Sequence, residues 1–298
     1  MNHSHILISI PAKNESKTIR EVVTRCRKVV EKTYSITPSV LVISDGSTDD
    51  TAKLARQTGA EVIEHETSQG LGAVFQEAKD YAVVHKFDYM VTIDGDGQFN
   101  EDEIPSLLSP LTDGKADFTS GNRFHANKEI PHMSTAKKIG NKVVANMVNY
   151  ILSAKYQDVS CGFRAYSREA LLNLNLFGGF TYTQEVFLNL GYKGIKIKEV
   201  PINVTYFPER KSRIARSIFN YGYQVLKIIL SSLIFYRPMR FFGTLTFITW
   251  LYALPIMLVL TIRYFETGLI SPYRALGISS LIAFAIGTIL LSVGVILY

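Results

Sequence analysis

Cysteine is scarce in this chain. Cys26 and Cys161 are the only two in 298 residues, they lie far apart, and neither belongs to a metal-ligand or redox spacing. That excludes a disulfide scaffold and a thiolate metal site, and it reads as two reduced thiols in a cytosol-facing domain. Charge is thin as well, at 19% of residues against about 25% in ordinary soluble domains. The shortage is local: residues 241–298 carry only Arg263, Glu266 and Arg274. The opening "MNHSHILISIPAKNES" turns polar too soon for a secretory signal, so the part ahead of the apolar tail is expected to stay in the cytoplasm. The sequons at Asn14 and Asn203 are then coincidental. No G-x-G-x-x-G follows the first strand-like run, and no G-x-x-x-x-G-K-[ST] occurs, which excludes the usual dehydrogenase and NTPase phosphate loops. The six histidines show no metal spacing, and none is assigned a role.

What the tail does contain is two long apolar runs, residues 241–262 and 275–298. Each exceeds the roughly 20 residues that cross a bilayer as a helix. The short link between them must turn, so a hairpin is expected. Arg237 and Arg240 precede the first run and favour a cytoplasmic start. The net charge of +6 is concentrated just upstream, where Arg210, Lys211, Arg213, Arg216, Lys227, Arg237 and Arg240 face Glu209 alone. Such a cluster suits an anionic membrane surface or a phosphate ligand, not nucleic acid. In "SIFNYGYQVLKIILSSLIF", Asn220, Gln224, Lys227 and Ser231 recur at i, i+4, i+7 and i+11. A narrow polar stripe on an apolar helix predicts one lying in the membrane interface. Packing against the preceding domain is the alternative.

The first 200 residues alternate short apolar strands with helical periodicity. "HILISIP", "SVLVISD", "AEVIEH" and "DYMVTID" read as strands. Helices are predicted from Glu15 to Val30, from Ser47 as N-cap to Gly59, and from Gly70 to Val84. This alternation implies βαβ units and a mainly parallel sheet covered by helices on both faces. Ligands of such sheets gather at the carboxyl ends of the strands. Three strands end there in chemically active residues: Pro11 to Glu15, Asp45 to Ser47, and Asp94 to Asp96.

"MVTIDGDGQF" is the sharpest of these. Two carboxylates on alternate residues past a strand end can grip one hard divalent cation, Mg²⁺ or Mn²⁺, whose shell substrate phosphates usually complete. Gln98 can add a carbonyl oxygen or hold a water. Alone, Asp-x-Asp describes many surface turns. Here it follows a buried strand and shares its sheet edge with Asp45.

"SIPAKNES", "VISDGSTDDT", "TIDGDGQF", "SGNRF" and "DVSCGFRAYSREAL" follow one another in an order that resembles the family-two inverting glycosyltransferases. The nearest likeness is to the polyprenyl-phosphate (dolichol-phosphate-type) hexosyl synthases, over about residues 5–240. The resemblance implies a GT-A α/β fold, a nucleotide-diphosphate sugar donor (a UDP- or GDP-hexose), a Mg²⁺ or Mn²⁺ cofactor and inversion at the anomeric carbon. It implies a cytoplasmic catalytic domain over 1–205, a basic juxtamembrane segment with an interfacial helix over 206–240, and two transmembrane helices over 241–298. By analogy Pro11, Ala12, Asn14, Glu15 and Asp45 line the nucleotide pocket, with Arg210 and Lys211 closing over the donor diphosphate. Asp94, Asp96 and Gln98 hold the metal. Arg123, Arg213 and Arg216 meet the acceptor phosphate. The family often places an Arg and a Ser four residues apart on the following helix; here Lys137 and Asn141 stand at those positions. Asp94, Asp96, Arg123 and Glu185 are the expected catalytic residues, although Glu185 also suits a helix N-terminal acid facing the dipole. Asp158 either orients the acceptor or pairs with Arg164.

The expected reaction is therefore transfer of a hexose to a polyprenyl phosphate lipid by an integral membrane protein, with self-association into a homo-oligomer left open. A glycosyltransferase acting on a lipid or glycan hydroxyl is the alternative, and a silent nucleotide-sugar-binding scaffold a third. The Q-x-x-R-W of processive synthases is absent, since the single tryptophan, Trp250, lies inside an apolar run.

Overall fold

The computed structural model describes residues 5–125, 130, 131, 133–176, 182–207 and 218–298. Seven strands form one sheet in the order β3-β2-β1-β4-β6-β5-β7. They are β1 (Ile6–Ala12), β2 (Ser39–Asp45), β3 (Glu61–His65), β4 (Tyr89–Thr92), β5 (Phe118–Asn122), β6 (Arg164–Ser167) and β7 (Ile197–Pro201). The first four are mutually parallel, and β5 runs parallel to β7. β6 lies antiparallel between β4 and β5. The helices are α1 (Ile19–Tyr34), α2 (Thr51–Arg56), α3 (Leu71–Val84), α4 (Ile104–Thr112), α5 (Thr135–Leu152), α6 (Arg168–Asn173), α7 (Thr183–Tyr192), α8 (Ile218–Tyr236), α9 (Pro238–Thr267) and α10 (Arg274–Ile296).

Buried apolar runs make the central strands. Ile6, Leu7, Ile8 and Ile10 in β1 and Val40 to Ile43 in β2 are almost wholly excluded from water. A strand buried on both faces reads as a continuous hydrophobic run and needs cover on each side. α1 supplies one cover: its Ile19, Val22, Val23, Cys26 and Val30 form a single buried stripe, at the spacing of one helical face.

Two helix starts differ from the sequence expectation. α1 begins at Ile19, not at Glu15, because Asn14 takes a left-handed backbone conformation (φ 54°). The chain then turns, with the Glu15 carbonyl accepting from the N–H groups of Thr18 and Ile19. α2 begins at Thr51, and Ser47 does not cap it. The Ser47 hydroxyl instead accepts the Asn14 N–H (3.1 Å) and bonds Ser44 (2.8 Å).

The chain divides into two compact units, Met1–Ile228 and Ile229–Tyr298. In the second, α9 and α10 are long and apolar enough to cross a membrane, with mean hydropathies of 2.1 and 2.2. They pack against each other as an antiparallel hairpin. The Thr246 hydroxyl donates to the Gly287 carbonyl (3.1 Å), and Trp250 Nε1 donates to the Phe284 carbonyl (3.4 Å). A side chain at Gly287 would strike Thr249 and Trp250, so this glycine sets how closely the helices approach. Of the α8 polar stripe, Lys227 and Ser231 are exposed; the side chains of Asn220 and Gln224 lie outside the described residues.

Candidate active site

Because β1, β2 and β4 are parallel neighbours, their carboxyl ends open on one edge of the sheet. The Gly95 N–H donates to the Pro11 carbonyl (3.2 Å), and the Thr18 hydroxyl donates to the Gly95 carbonyl (2.7 Å). These bonds tie the Asp94–Gly97 turn to the end of β1. Asn14 reaches the other way: its side-chain oxygen accepts the Thr48 N–H at 2.7 Å, while the Glu15 N–H donates to the Thr51 hydroxyl at 2.7 Å. Pro11 and Ala12 close β1 at the same edge. Thus the loops after β1 and β2 and the acidic turn form one connected rim.

Asp94 is partly buried and lies against Gly162, where a Cβ would come within 3.2 Å of its carboxylate. A side chain there would press on that carboxylate. β6 brings Gly162 into place, because Arg164 pairs with Thr92 at the end of β4 and the Thr92 hydroxyl donates to the Gly162 carbonyl at 2.8 Å. The Asp94 carboxyl is pushed up to about 7, by burial first and then by the charge on Asp96, with Arg123 pulling the other way. Asp96 caps its own turn, accepting the Gln98 N–H at 3.0 Å. The Gln98 carbonyl accepts the Thr205 N–H at 2.9 Å, beside a bridge between Phe99 and Val204.

The charge of Asp96 opposes ionisation of Asp94, and oxygen ligands of this kind suit Mg²⁺ or Mn²⁺. Among the described residues no group of three or more His, Cys, Asp or Glu side chains is arranged to hold a metal. Two carboxylates would leave most of such a cation's shell to other ligands.

Opposite the acidic turn stand two cations. Arg123, buried just past β5, makes a fork to Asp158: Nε to Oδ2 at 2.6 Å and Nη2 to Oδ1 at 2.8 Å. Its backbone N–H donates to the same carboxylate at 3.2 Å. Burial alone would weaken this charge, but Asp158 holds the guanidinium firmly protonated. The remaining Nη1 donates to the Tyr206 hydroxyl at 2.9 Å. Lys137, in the first turn of α5, lies with Nζ 3.5 Å from that hydroxyl and 4.5 Å from the Tyr206 ring centre. Partial desolvation, and then repulsion by Arg123, lower its pKa, while Asp158, Asp96 and Asp94 pull it up. Asp94, Asp96, Glu15, Arg123, Lys137 and Asp158 thus share one electrostatic neighbourhood.

Asp158 pairs with Arg123 and not with Arg164. Arg164 is fully buried and turns inward, donating to the carbonyls of Cys161 (2.6 Å) and Val159 (3.1 Å) among the rings of Phe118, Tyr182 and Phe187. Asn141 donates one amide hydrogen to the Gln157 carbonyl (3.0 Å), and its side-chain oxygen is buried with no hydrogen-bond partner among the described residues. Its position serves to tie α5 to the Gln157–Asp158 segment. Glu199 on β7 accepts the N–H groups of both Gln157 (2.9 Å) and Asp158 (2.7 Å). The sequence alone did not single out Gln157, Glu199 or Tyr206, since each acts through a partner distant along the chain. Glu185 is buried in the first turn of α7. Arg210, Lys211, Arg213 and Arg216 lie outside the described residues.

Asp45 is another residue expected to line the nucleotide pocket. Its carboxylate already accepts four bonds, from His65 Nδ1 (3.0 Å), the Ser68 hydroxyl (2.6 Å) and the N–H groups of Gln69 (2.6 Å) and Gly70 (3.1 Å). Burial would raise its pKa, but these donors together lower it. Its evident work is to shape the loop between β3 and α3. His65, to which the sequence assigned nothing, bridges Asp45 and Glu77 (2.8 Å). The bond to Asp45 raises the His65 pKa above 6.5, against the effect of burial. The stabilisation from His65 is therefore complete below the unfolded value and is lost as pH rises through the folded one. His65→Gln should cost about 1 kcal/mol below pH 6.5 and progressively less as the pH rises above it. Urea unfolding of both proteins across that range checks it, and a difference independent of pH contradicts it.

Comparison with known proteins gives the family and the fold. Residues 7–174 match the family described as glycosyl transferase family 2. The glycosyltransferase AglJ of Haloferax volcanii is 31% identical over 68% of this chain, which spans 63% of that protein's length. The UDP-N-acetylglucosamine–dolichyl-phosphate N-acetylglucosaminyltransferase of Methanococcus voltae is 27% identical over 67% of this chain and 86% of its own. The crystal structure of glucosyl-3-phosphoglycerate synthase from Mycobacterium tuberculosis with Mn²⁺, UDP and phosphoglyceric acid superposes with a TM-score of 0.60, covering 78% of this chain and 79% of that one. At 20% identity this likeness shows the fold alone, a mostly parallel sheet of GT-A type flanked by helices. Matched over more than half its length by one family, the chain is a glycosyltransferase and belongs to glycosyl transferase family 2.

Proposed function

We propose that this protein transfers a hexose from a nucleotide-diphosphate sugar to a polyprenyl phosphate, with inversion, at the cytoplasmic face of a membrane. The observation that carries this reading is the pair of cations, Arg123 and Lys137, held beside the Asp94–Asp96 turn. An acceptor hydroxyl needs a base to remove its proton. A phosphate monoester, with a second pKa near 6, is already substantially ionised at neutral pH and needs cations instead. Arg123, locked by Asp158, turns its Nη1 edge toward Tyr206; Lys137 offers a compact charge.

The chain's own residues divide the work. Asp94, Asp96 and Gln98 hold the divalent cation that, when bound, neutralises charge developing on the departing diphosphate. The rim formed by Pro11, Ala12, Asn14 and Glu15 receives the nucleotide, with Asp45 fixing the wall beside it. Arg123 and Lys137 orient the acceptor phosphate. Its oxygen needs no proton removed as it attacks. Arg210, Lys211, Arg213 and Arg216 are further phosphate partners in this reading, and Glu185 supports the sugar.

A lipid acceptor also accords with the surface of α5. Its outward side exposes Ile139, Val143, Met147 and Tyr150, beside Lys138 and Lys142, and the helix carries no acidic residue. An apolar stripe edged by lysines suits an anionic lipid surface, and α9 and α10 keep the chain at one.

Incubating the purified protein with labelled UDP- or GDP-hexoses, Mn²⁺ and undecaprenyl or dolichyl phosphate tests the reaction. The expected product is a glycolipid cleaved by mild acid. An acid-stable glycolipid would instead establish a hydroxyl acceptor, and donor binding without turnover a silent scaffold.

A further inference from the structure

Within the reaction proposed above, the contacts of Tyr206 carry an assignment that neither composition nor motif suggests. Arg123 Nη1 donates to the Tyr206 hydroxyl at 2.9 Å, and Lys137 Nζ stands 3.5 Å from the same oxygen. Two cations converging on one neutral oxygen mark a place suited to negative charge. Among the described residues neither Arg123 Nη1 nor Lys137 Nζ reaches a carboxylate there; Asp158 engages the other edge of the guanidinium.

We propose that the Tyr206 hydroxyl is a third ligand of the acceptor phosphate. It accepts from Arg123 and donates its own proton to a phosphate oxygen, so that Arg123, Lys137 and Tyr206 close on one headgroup. A hydroxyl can donate and accept at once, so the Arg123 bond leaves its proton available. Burial raises the phenol pKa, although Arg123 opposes this, and the group remains a donor at neutral pH.

The segment bearing Tyr206 is also fastened to the acidic turn. The Thr205 N–H bonds the Gln98 carbonyl at 2.9 Å, and Val204 bridges Phe99. Gln98 in turn donates its N–H to Asp96 at 3.0 Å. One short hydrogen-bonded path therefore joins the residues at the donor diphosphate to a ligand of the acceptor.

The assignment rests on phosphate being the acceptor, and the test separates the two ideas. Tyr206→Phe keeps the ring over Lys137 and removes only the hydroxyl. Titration calorimetry of the full chain in detergent with farnesyl phosphate should show binding weakened about tenfold or more. UDP affinity should not change, and KM should rise for polyprenyl phosphate but not for the nucleotide sugar. Equal farnesyl phosphate affinity in both proteins overturns the role of Tyr206 while transfer to phosphate stands. Parallel loss of UDP binding overturns it too, by showing a purely structural contribution. Wild-type protein that glycosylates only a lipid hydroxyl overturns the reaction and this assignment together.

Discussion

Asp96→Ala should lower hexose transfer by about a thousandfold or more, equivalent to roughly 4 kcal/mol of transition-state stabilisation. Asp96 is one of two carboxylates in the acidic turn, and its charge weighs on Asp94 second only to burial. Removing it halves the anionic charge available to a divalent cation. It also deletes the acceptor of the Gln98 N–H, so the turn could loosen for a second reason. Asp96→Asn separates these effects, because the amide oxygen keeps that bond while the charge is lost. The account expects both variants to be inactive and to bind Mn²⁺ far more weakly in calorimetry, with Asp96→Asn unfolding at the wild-type temperature. Metal-stimulated activity retained by Asp96→Asn would move the metal away from this turn.

Arg123→Ala should abolish use of the acceptor and destabilise the fold at once. Asp158 is fully excluded from solvent and accepts Arg123 at 2.6 and 2.8 Å. Deleting the guanidinium strands a buried carboxylate, which costs about 3–5 kcal/mol. Arg123→Ala combined with Asp158→Asn removes the stranded charge and should recover much of that stability without recovering transfer. Chemical unfolding and acceptor kinetics on the two variants measure the terms separately. Full stability in Arg123→Ala, or transfer in the double variant, would contradict the role given to this pair. Arg123→Lys should rescue little, since an ammonium cannot reproduce the fork to Asp158.

The sheet, and the edge at which its motif residues gather, were legible because local patterns carried them. Buried strands such as Leu7 to Ile10 announce themselves as apolar runs, and the motifs past β1, β2 and β4 mark the edge on which ligands gather. The two apolar helices followed from length and composition alone. β6 running antiparallel between β4 and β5 did not follow, because strand order depends on contacts between distant segments. Asp158 shows the same limit within the site. Arg164 is its nearer arginine in sequence, yet Arg123, beyond a helix and a loop, is the one that meets it. Asp45 was legible as a strand-end residue of that edge, whereas its bonds to His65, Ser68, Gln69 and Gly70 were not. Tyr206 escaped notice because nothing near it in sequence shows that Arg123 and Lys137 converge there.

A structure of the full chain with UDP, Mn²⁺ and farnesyl phosphate, with the manganese located by anomalous scattering, is the most direct measurement. Two features are expected together: manganese at the carboxylates of Asp94 and Asp96, and the farnesyl phosphate headgroup within hydrogen-bonding reach of Arg123 and Lys137. Manganese elsewhere, or a headgroup bound away from those two cations, would contradict the pairing of donor and acceptor on which the proposed transfer depends.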